Sequence, residues 1–201
     1  MAENTIEQDP ISWWNELEEQ WQLAFSHVAF NRRELHTPSV EELQDLITRP
    51  VLRIASPGSM YPNTSVDLTN LSGLSQLRHV ELLFVQNHLL SSLEEIADLT
   101  QLKQLVLPGN KLTSLKGIEK MTDLEKLHVQ NNELSSIAEL SHLTKLVELY
   151  VFHTSLSKLD GLGPQHKDTL KQVLARPNPE LSPEEISRIE EMLDIQLGKG
   201  A

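Results

Sequence analysis

The chain has 201 residues, enough for one domain with a sizeable core, and carries 29 acidic against 17 basic residues, a formal net charge of −12. That charge disfavours non-specific binding to nucleic acid or to an anionic membrane, argues against acidic partners and allows basic ones. There is no cysteine, which excludes a disulfide framework, a thiolate nucleophile and a Cys-based zinc site, and is compatible with a reducing compartment.

The first residues, "MAENTIEQDP", are polar and acidic and lack the basic and apolar regions of a signal peptide. No stretch reaches the length of a transmembrane helix. The expectation is a soluble, cytoplasmic chain. Asp9 followed by Pro10 is a helix start. Trp14, Leu17, Trp21, Phe25 and Val28 then fall on one face of a helix. Trp13 lies off that stripe and is expected to be partly exposed. A second helix is predicted in "TPSVEELQDLIT", with Ser39 and Glu42 as a capping box, ending before Pro50.

"VLRIA" reads as a strand, and "DLTNLSGLSQL" places Leu68, Leu71, Leu74 and Leu77 at a regular spacing. Between them a Pro- and Gly-containing stretch, "SPGSMYPNT", reads as an inserted loop of about nine residues. Residues 102–123, "LKQLVLPGNKLTSLKGIEKMTD", recur at 80–101, 124–145 and 146–167. The apolar columns align without gaps: Val80, Leu102, Leu124, Leu146; Leu83, Leu105, Leu127, Leu149; Val85, Leu107, Val129, Val151. The later columns, beginning at Leu90, Leu93 and Ile96, hold equally. After the repeats, "HKDTLKQVLARPNPEL" predicts a helix through about Ala175 and then a Pro-broken linker. "SPEEISRIEEMLDIQL" predicts a helix capped by Ser182, with Pro183 in its first turn and Glu185 completing a capping box. Its apolar face is Ile186, Ile189, Leu193 and Leu197. The tail "GKGA" has no packing signal and is expected to be disordered.

The pattern LxxLxLxxNxLxxLxxLxxLxx resembles the leucine-rich repeat family in its short 22-residue class, over about residues 51–167. With its helical flanks the chain also resembles small bacterial leucine-rich repeat proteins. The resemblance implies an α/β solenoid with a parallel sheet on the concave face and short extended or 3₁₀ segments on the convex side. A single turn cannot bury its leucines, whereas stacked turns share a continuous core. Open solenoid ends need covers, so residues 1–50 are read as an N-terminal helical cap, 51–167 as the solenoid, and 168–201 as a C-terminal helical cap and tail. A membrane-surface role for the first helix has the wrong charge, since Glu16, Glu18 and Glu19 occupy its polar side. The family places Asn after each strand; here that column reads Val66, His88, Asn110, Asn132 and Thr154, so the ladder is interrupted at both ends.

Alternate strand residues point to opposite faces. With the leucines inward, the concave face receives Leu82, Phe84, Gln86 and Asn87 from one turn and Val106 from the next. Lys126, His128 and Gln130 follow, then Glu148, Tyr150, Phe152 and His153. An apolar and aromatic patch with a polar rim marks a partner site. These twelve residues are the candidate binding site for a polypeptide. A terminal segment folded over the patch is the bland alternative. No nucleophile elbow, Walker loop or dinucleotide fingerprint is present, and a cofactor or metal is not expected. Three functions remain in play. They are a monomeric adaptor, scaffold or regulatory subunit, a self-associating protein, and a small hydrolase using His128, Glu148 and His153.

Overall fold

A computed structural model describes residues 9–200. Its strands are β1 (Val51–Ala55), β2 (Leu82–Gln86), β3 (Gln104–Val106), β4 (Lys126–His128), β5 (Glu148–Tyr150), β6 (Gln172–Arg176) and β7 (Leu197–Lys199). They form one parallel sheet in chain order. The register explains the sequence period. Leu52, Leu83, Leu105, Leu127, Leu149, Val173 and Leu197 lie opposite one another along the sheet. All are buried, and they line one continuous core. The chain returns behind the sheet through short 3₁₀ turns such as Glu94–Ile96 and Ala138–His142, which bury the later leucine columns against the same core.

The turn after each strand needs two things, and the sequence supplies both. Asn87, Gly109, Asn131 and His153 occupy one column and all have positive φ, between 52° and 68°. Asn, Gly and His tolerate this left-handed geometry better than other residues. One residue later, a buried side chain satisfies the turn's backbone. Asn110 Nδ2 donates to Val85 O and Leu107 O, and Asn132 Nδ2 donates to Leu107 O and Val129 O. Their Oδ1 atoms accept from Leu90 N and Leu112 N. His88 substitutes in part: its Nδ1 accepts from Leu68 N at 3.0 Å, while its buried Nε2 lies toward Ile54 O without a well-formed hydrogen bond. Thr154 Oγ1 donates to Val151 O.

The sheet runs on past residue 167. The helix expected through Ala175 is instead strand β6, and Asn178 is a further member of the ladder, donating to Val151 O and Ala175 O. This turn escaped the period because Leu149 pairs with Val173, two positions beyond where the regular step would fall. The tail expected to be disordered forms β7, and Gly200 N donates to Arg176 O at 2.6 Å. Leu197 therefore belongs to the sheet and not to the preceding helix; Ala201 lies outside the described residues.

Both ends carry helices. The aromatic stripe lies on two helices, α1 (Pro10–Glu16) and α2 (Glu19–Val28), because Leu17 and Glu18 are extended. Asp9 caps the first through Ser12 N. The break turns Trp13 inward as well: it is 3% exposed, packs on Phe25, and is buried rather than partly exposed. Trp21 is fully buried, donates to Asn70 Oδ1 and lies on Gly73, where any β-carbon would fall 2.2 Å from its ring. Helix α3 (Val40–Ile47) has the expected Ser39–Glu42 capping box. At the far end, α4 (Pro183–Leu193) is capped by Ser182, but Glu185 does not close a box. Its carboxylate accepts from Leu159 N and pairs with Arg188, tying the helix to the repeat.

Candidate functional site on the concave sheet face

The outward side chains of the sheet form rows set by register. The central row runs Arg53, Phe84, Val106, His128, Tyr150, Leu174. A flanking row runs Val51, Leu82, Gln104, Lys126, Glu148, Gln172. Neighbouring strands bring such side chains to about 5 Å spacing, so each ring meets the next. The Arg53 guanidinium lies 3.8 Å from the centroid of Phe84. His128 stacks on Tyr150 at 3.9 Å with an interplanar angle of 6°. His128 Nε2 pairs with Glu148 Oε1 at 2.8 Å, and Lys126 Nζ reaches Glu148 Oε2 at 3.1 Å.

These contacts set the local charges. Burial lowers the pKa of His128 from its usual value, against the pull of Glu148 in the other direction. Glu148 is raised by burial, but hydrogen bonds from Tyr150, Lys126 and His128 outweigh this and leave it below the ordinary carboxylate value. Burial, then the neighbouring Glu148, raises the Tyr150 hydroxyl. The centre of the face is thus a neutral imidazole, a phenol and an internally compensated Lys–Glu pair.

Ten of the twelve sequence-predicted residues present surface. Leu82, Phe84, Gln86, Lys126, His128, Gln130, Glu148 and Tyr150 are half-buried, and Asn87 and His153 are exposed. Two do not. Val106 is 9% exposed because Phe84 and His128 flank it in register. Phe152 is 7% exposed because Gly200 of the C-terminal segment lies over its ring, so close that a β-carbon there would come within 2.3 Å. A terminal segment does fold over the patch, at that one end. His153 is not gathered with His128 and Glu148. It turns to Asn131 Oδ1 at 3.0 Å and meets Phe152 edge-on. Among the described residues, no cluster of three or more His, Asp or Glu side chains could hold a metal.

Sequence reasoning missed several contributors. Arg53 was legible as the outward residue of "VLRIA". Leu174 and Arg176 were hidden in the segment predicted to be helical. Tyr61, 81% exposed on the inserted loop, borders a pocket of 280 Å³ together with Arg53, Asn63, Phe84 and Gln86. The loop is held there by Asn63, which accepts from Ala55 N and donates to Arg53 O along the free edge of β1.

The repeat region answers to a known pattern. Residues 100–142 match the family described as Leucine Rich repeats, in two copies. The fold is a leucine-rich repeat solenoid. A leucine-rich repeat protein of Leptospira interrogans is 28% identical over 77% of this chain and 38% of its own, with a TM-score of 0.63. The functional domain of the internalin InlJ of Listeria monocytogenes is 20% identical over 87% of this chain and 37% of its own, with a TM-score of 0.57. The leucine-rich repeat of FLRT2, solved in an octameric complex with latrophilin 3 and Unc5D, gives 22% identity over 73% and 51%, with a TM-score of 0.50. The chain thus spans well under half the length of the two bacterial proteins. No curated protein matches it.

Proposed function

We propose that this leucine-rich repeat chain is a non-enzymatic, monomeric and cytoplasmic interaction module, an adaptor, scaffold or regulatory subunit. It holds a polypeptide partner on the concave sheet face. Leucine-rich repeats generally mediate protein–protein interaction, and recognition on such folds depends on their surface residues. The observation that carries the reading is the central row. Phe84, His128 and Tyr150 sit half-exposed on strands whose backbones are fixed by the ladder and core, and pre-ordered aromatic side chains bind at low entropic cost. The hydrolase reading weakens, because His128 is engaged by Glu148 and Tyr150 while His153 faces Asn131.

Affinity capture from native lysate tests this with three proteins of matched melting temperature. They are the wild type, a Phe84→Ala/Tyr150→Ala double variant, and a Lys120→Ala control on the convex side. Retention by the wild type and the control, with loss in the double variant, is expected. Equal retention by all three would refute concave-face binding. Light scattering across concentration checks the monomer.

A further inference from the structure

We propose that the concave face selects an acidic polypeptide segment, one whose carboxylates bracket an aromatic or apolar centre at a spacing of about seven residues. This rests on the concave-face reading above and names the chemistry of its partner. It runs against what the net charge of −12 alone suggests.

The reason is that charge is distributed unevenly between the two sides of the solenoid. Along the flanks of the repeats five lysines are matched, whereas Lys158, Lys167 and Lys171 near the C-terminal turns form no ion pair among the described residues. Lys103 pairs with Glu81, Lys116 with Glu94, Lys120 with Asp98, Lys145 with Asp123 and Lys111 with Glu133, in each case across one repeat step. On the concave face the match fails. Its outward strand residues include Arg53, Lys126 and Arg176 against the single carboxylate Glu148, and Lys199 lies exposed beside Arg176 across a shift in register. That carboxylate is already held by Lys126 and His128. Arg53, Arg176 and Lys199 have no carboxylate within ion-pair distance among the described residues. Fields are screened within about 8 Å at physiological salt, so a short ligand in the groove meets these local cations rather than the distant acidic surface.

The surplus cations stand at the two ends of the sheet, Arg53 within the central row on β1 and Arg176 beyond it on β6. Arg53 lines the 280 Å³ pocket beside Phe84 and the exposed Tyr61. Arg176 and Lys199 lie opposite each other in register and line a second cavity of 440 Å³, with Pro177, Pro179, Leu181 and Ile186 as its apolar walls. The Nη2 of Arg176 donates to Leu197 O, while its buried Nε has no partner. Between the ends lie Phe84, Val106, His128, Tyr150 and Leu174, none of them charged at neutral pH. From β1 to β6 is five strand spacings, about 24 Å, and an extended chain rises about 3.3 Å per residue, which gives the seven-residue separation. Cations rimming an apolar strip govern partner choice and association rate more than total affinity.

The test is selection of a displayed library of random twelve-residue peptides on the wild-type chain. The selected peptides are then titrated against Arg53→Glu, Lys199→Glu and Tyr150→Ala. Melting curves confirm folding, and Lys199, exposed at the sheet end, serves if Arg53→Glu disturbs Phe84. Enriched peptides with Asp or Glu on both sides of an aromatic or apolar centre are expected. Their binding should weaken about tenfold or more with each charge reversal and fall with added salt. Enrichment without acidic bias, with binding still lost in Tyr150→Ala, would overturn the charge inference and leave the concave site standing. Peptides insensitive to all three substitutions would overturn both. No enrichment, or tighter binding of a twelve-nucleotide oligothymidylate than of any peptide, would overturn the inference while the lysate capture still judges the site.

Discussion

Replacing His88 by Asn completes the turn ladder and removes a titrating group from the core, so its effect on stability depends on pH in a calculable way. His88 is 2% exposed, and burial pushes its pKa from 6.5 down to about 4, with the Asp67 carboxylate opposing. A histidine with a depressed folded pKa binds more protons unfolded than folded between those two values. Its contribution is therefore fully present above pH 6.5 and is lost as pH falls through 4. At pH 4.5 the cost of keeping it neutral is about 2.5 kcal/mol, and at pH 7.5 it is close to nothing. His88→Asn escapes that cost. By analogy with Asn110 and Asn132, the new side chain accepts from Leu68 N and donates to the carbonyl of the preceding strand. This replaces the poorly formed contact of the imidazole with Ile54 O by a regular amide hydrogen bond and is worth about 1 kcal/mol at most, at either pH. Urea melts of both proteins at pH 7.5 and 4.5 measure the gap between them, and every other titrating group cancels. The gap should widen by about 2.5 kcal/mol on acidification. A gap that stays constant would refute the claim that His88 is held neutral by its burial, whatever its sign.

Gly73→Ala drives a methyl group into the Trp21 ring, so the N-terminal cap should loosen at a cost of about 1–3 kcal/mol, with a red-shifted tryptophan emission that wild type shows only on unfolding. Asn63→Ala removes both side-chain bonds that dress the edge of β1; a loss of about 1–2 kcal/mol is expected, with hydrogen exchange accelerating at the Ala55 amide ahead of the Leu127 amide. Tyr150→Ala removes a stacked but half-exposed ring and should cost only about 1 kcal/mol in a melt while eliminating partner retention. A collapse of stability in that variant would make Tyr150 a core residue and remove it from the binding face.

The solenoid was legible because its cause is periodic. Four successive turns put Leu83, Leu105, Leu127 and Leu149 in line, and the family resemblance carried by that period implied the parallel sheet that the register shows. The positive-φ column was equally readable, as Asn, Gly, Asn and His in succession, and its backbone role adds to the exposure of Asn87 and His153 beside the face. The C-terminal turn was hidden by its two extra residues and by the helical look of "HKDTLKQVLA". Val173, Ala175 and Asn178 fill the same roles as Leu149, Val151 and Thr154, and tertiary stacking overrides the local propensity. The burial of Phe152 could not be foreseen from its own strand, because the group that covers it, Gly200, follows β7 and so lies two strands later in the chain.

The departures from the period also mark out the groove. Within the regular turns Lys103, Lys120 and Lys145 each meet a carboxylate one step away, as do Lys111 and Lys116. The irregular additions behave differently. The loop between β1 and the first full turn brings Tyr61 to Arg53, and the two-residue insertion before β6, with β7 beyond it, brings Lys199 to Arg176. Each addition satisfies a structural need, since the first dresses a free strand edge and the second covers Phe152 and extends the sheet. Each also leaves a cation without a carboxylate partner at an end of the sheet, Arg53 at one and Arg176 at the other. The ends of the sheet, where the repeat pattern breaks down, therefore supply the cations on which the proposed charge selectivity rests.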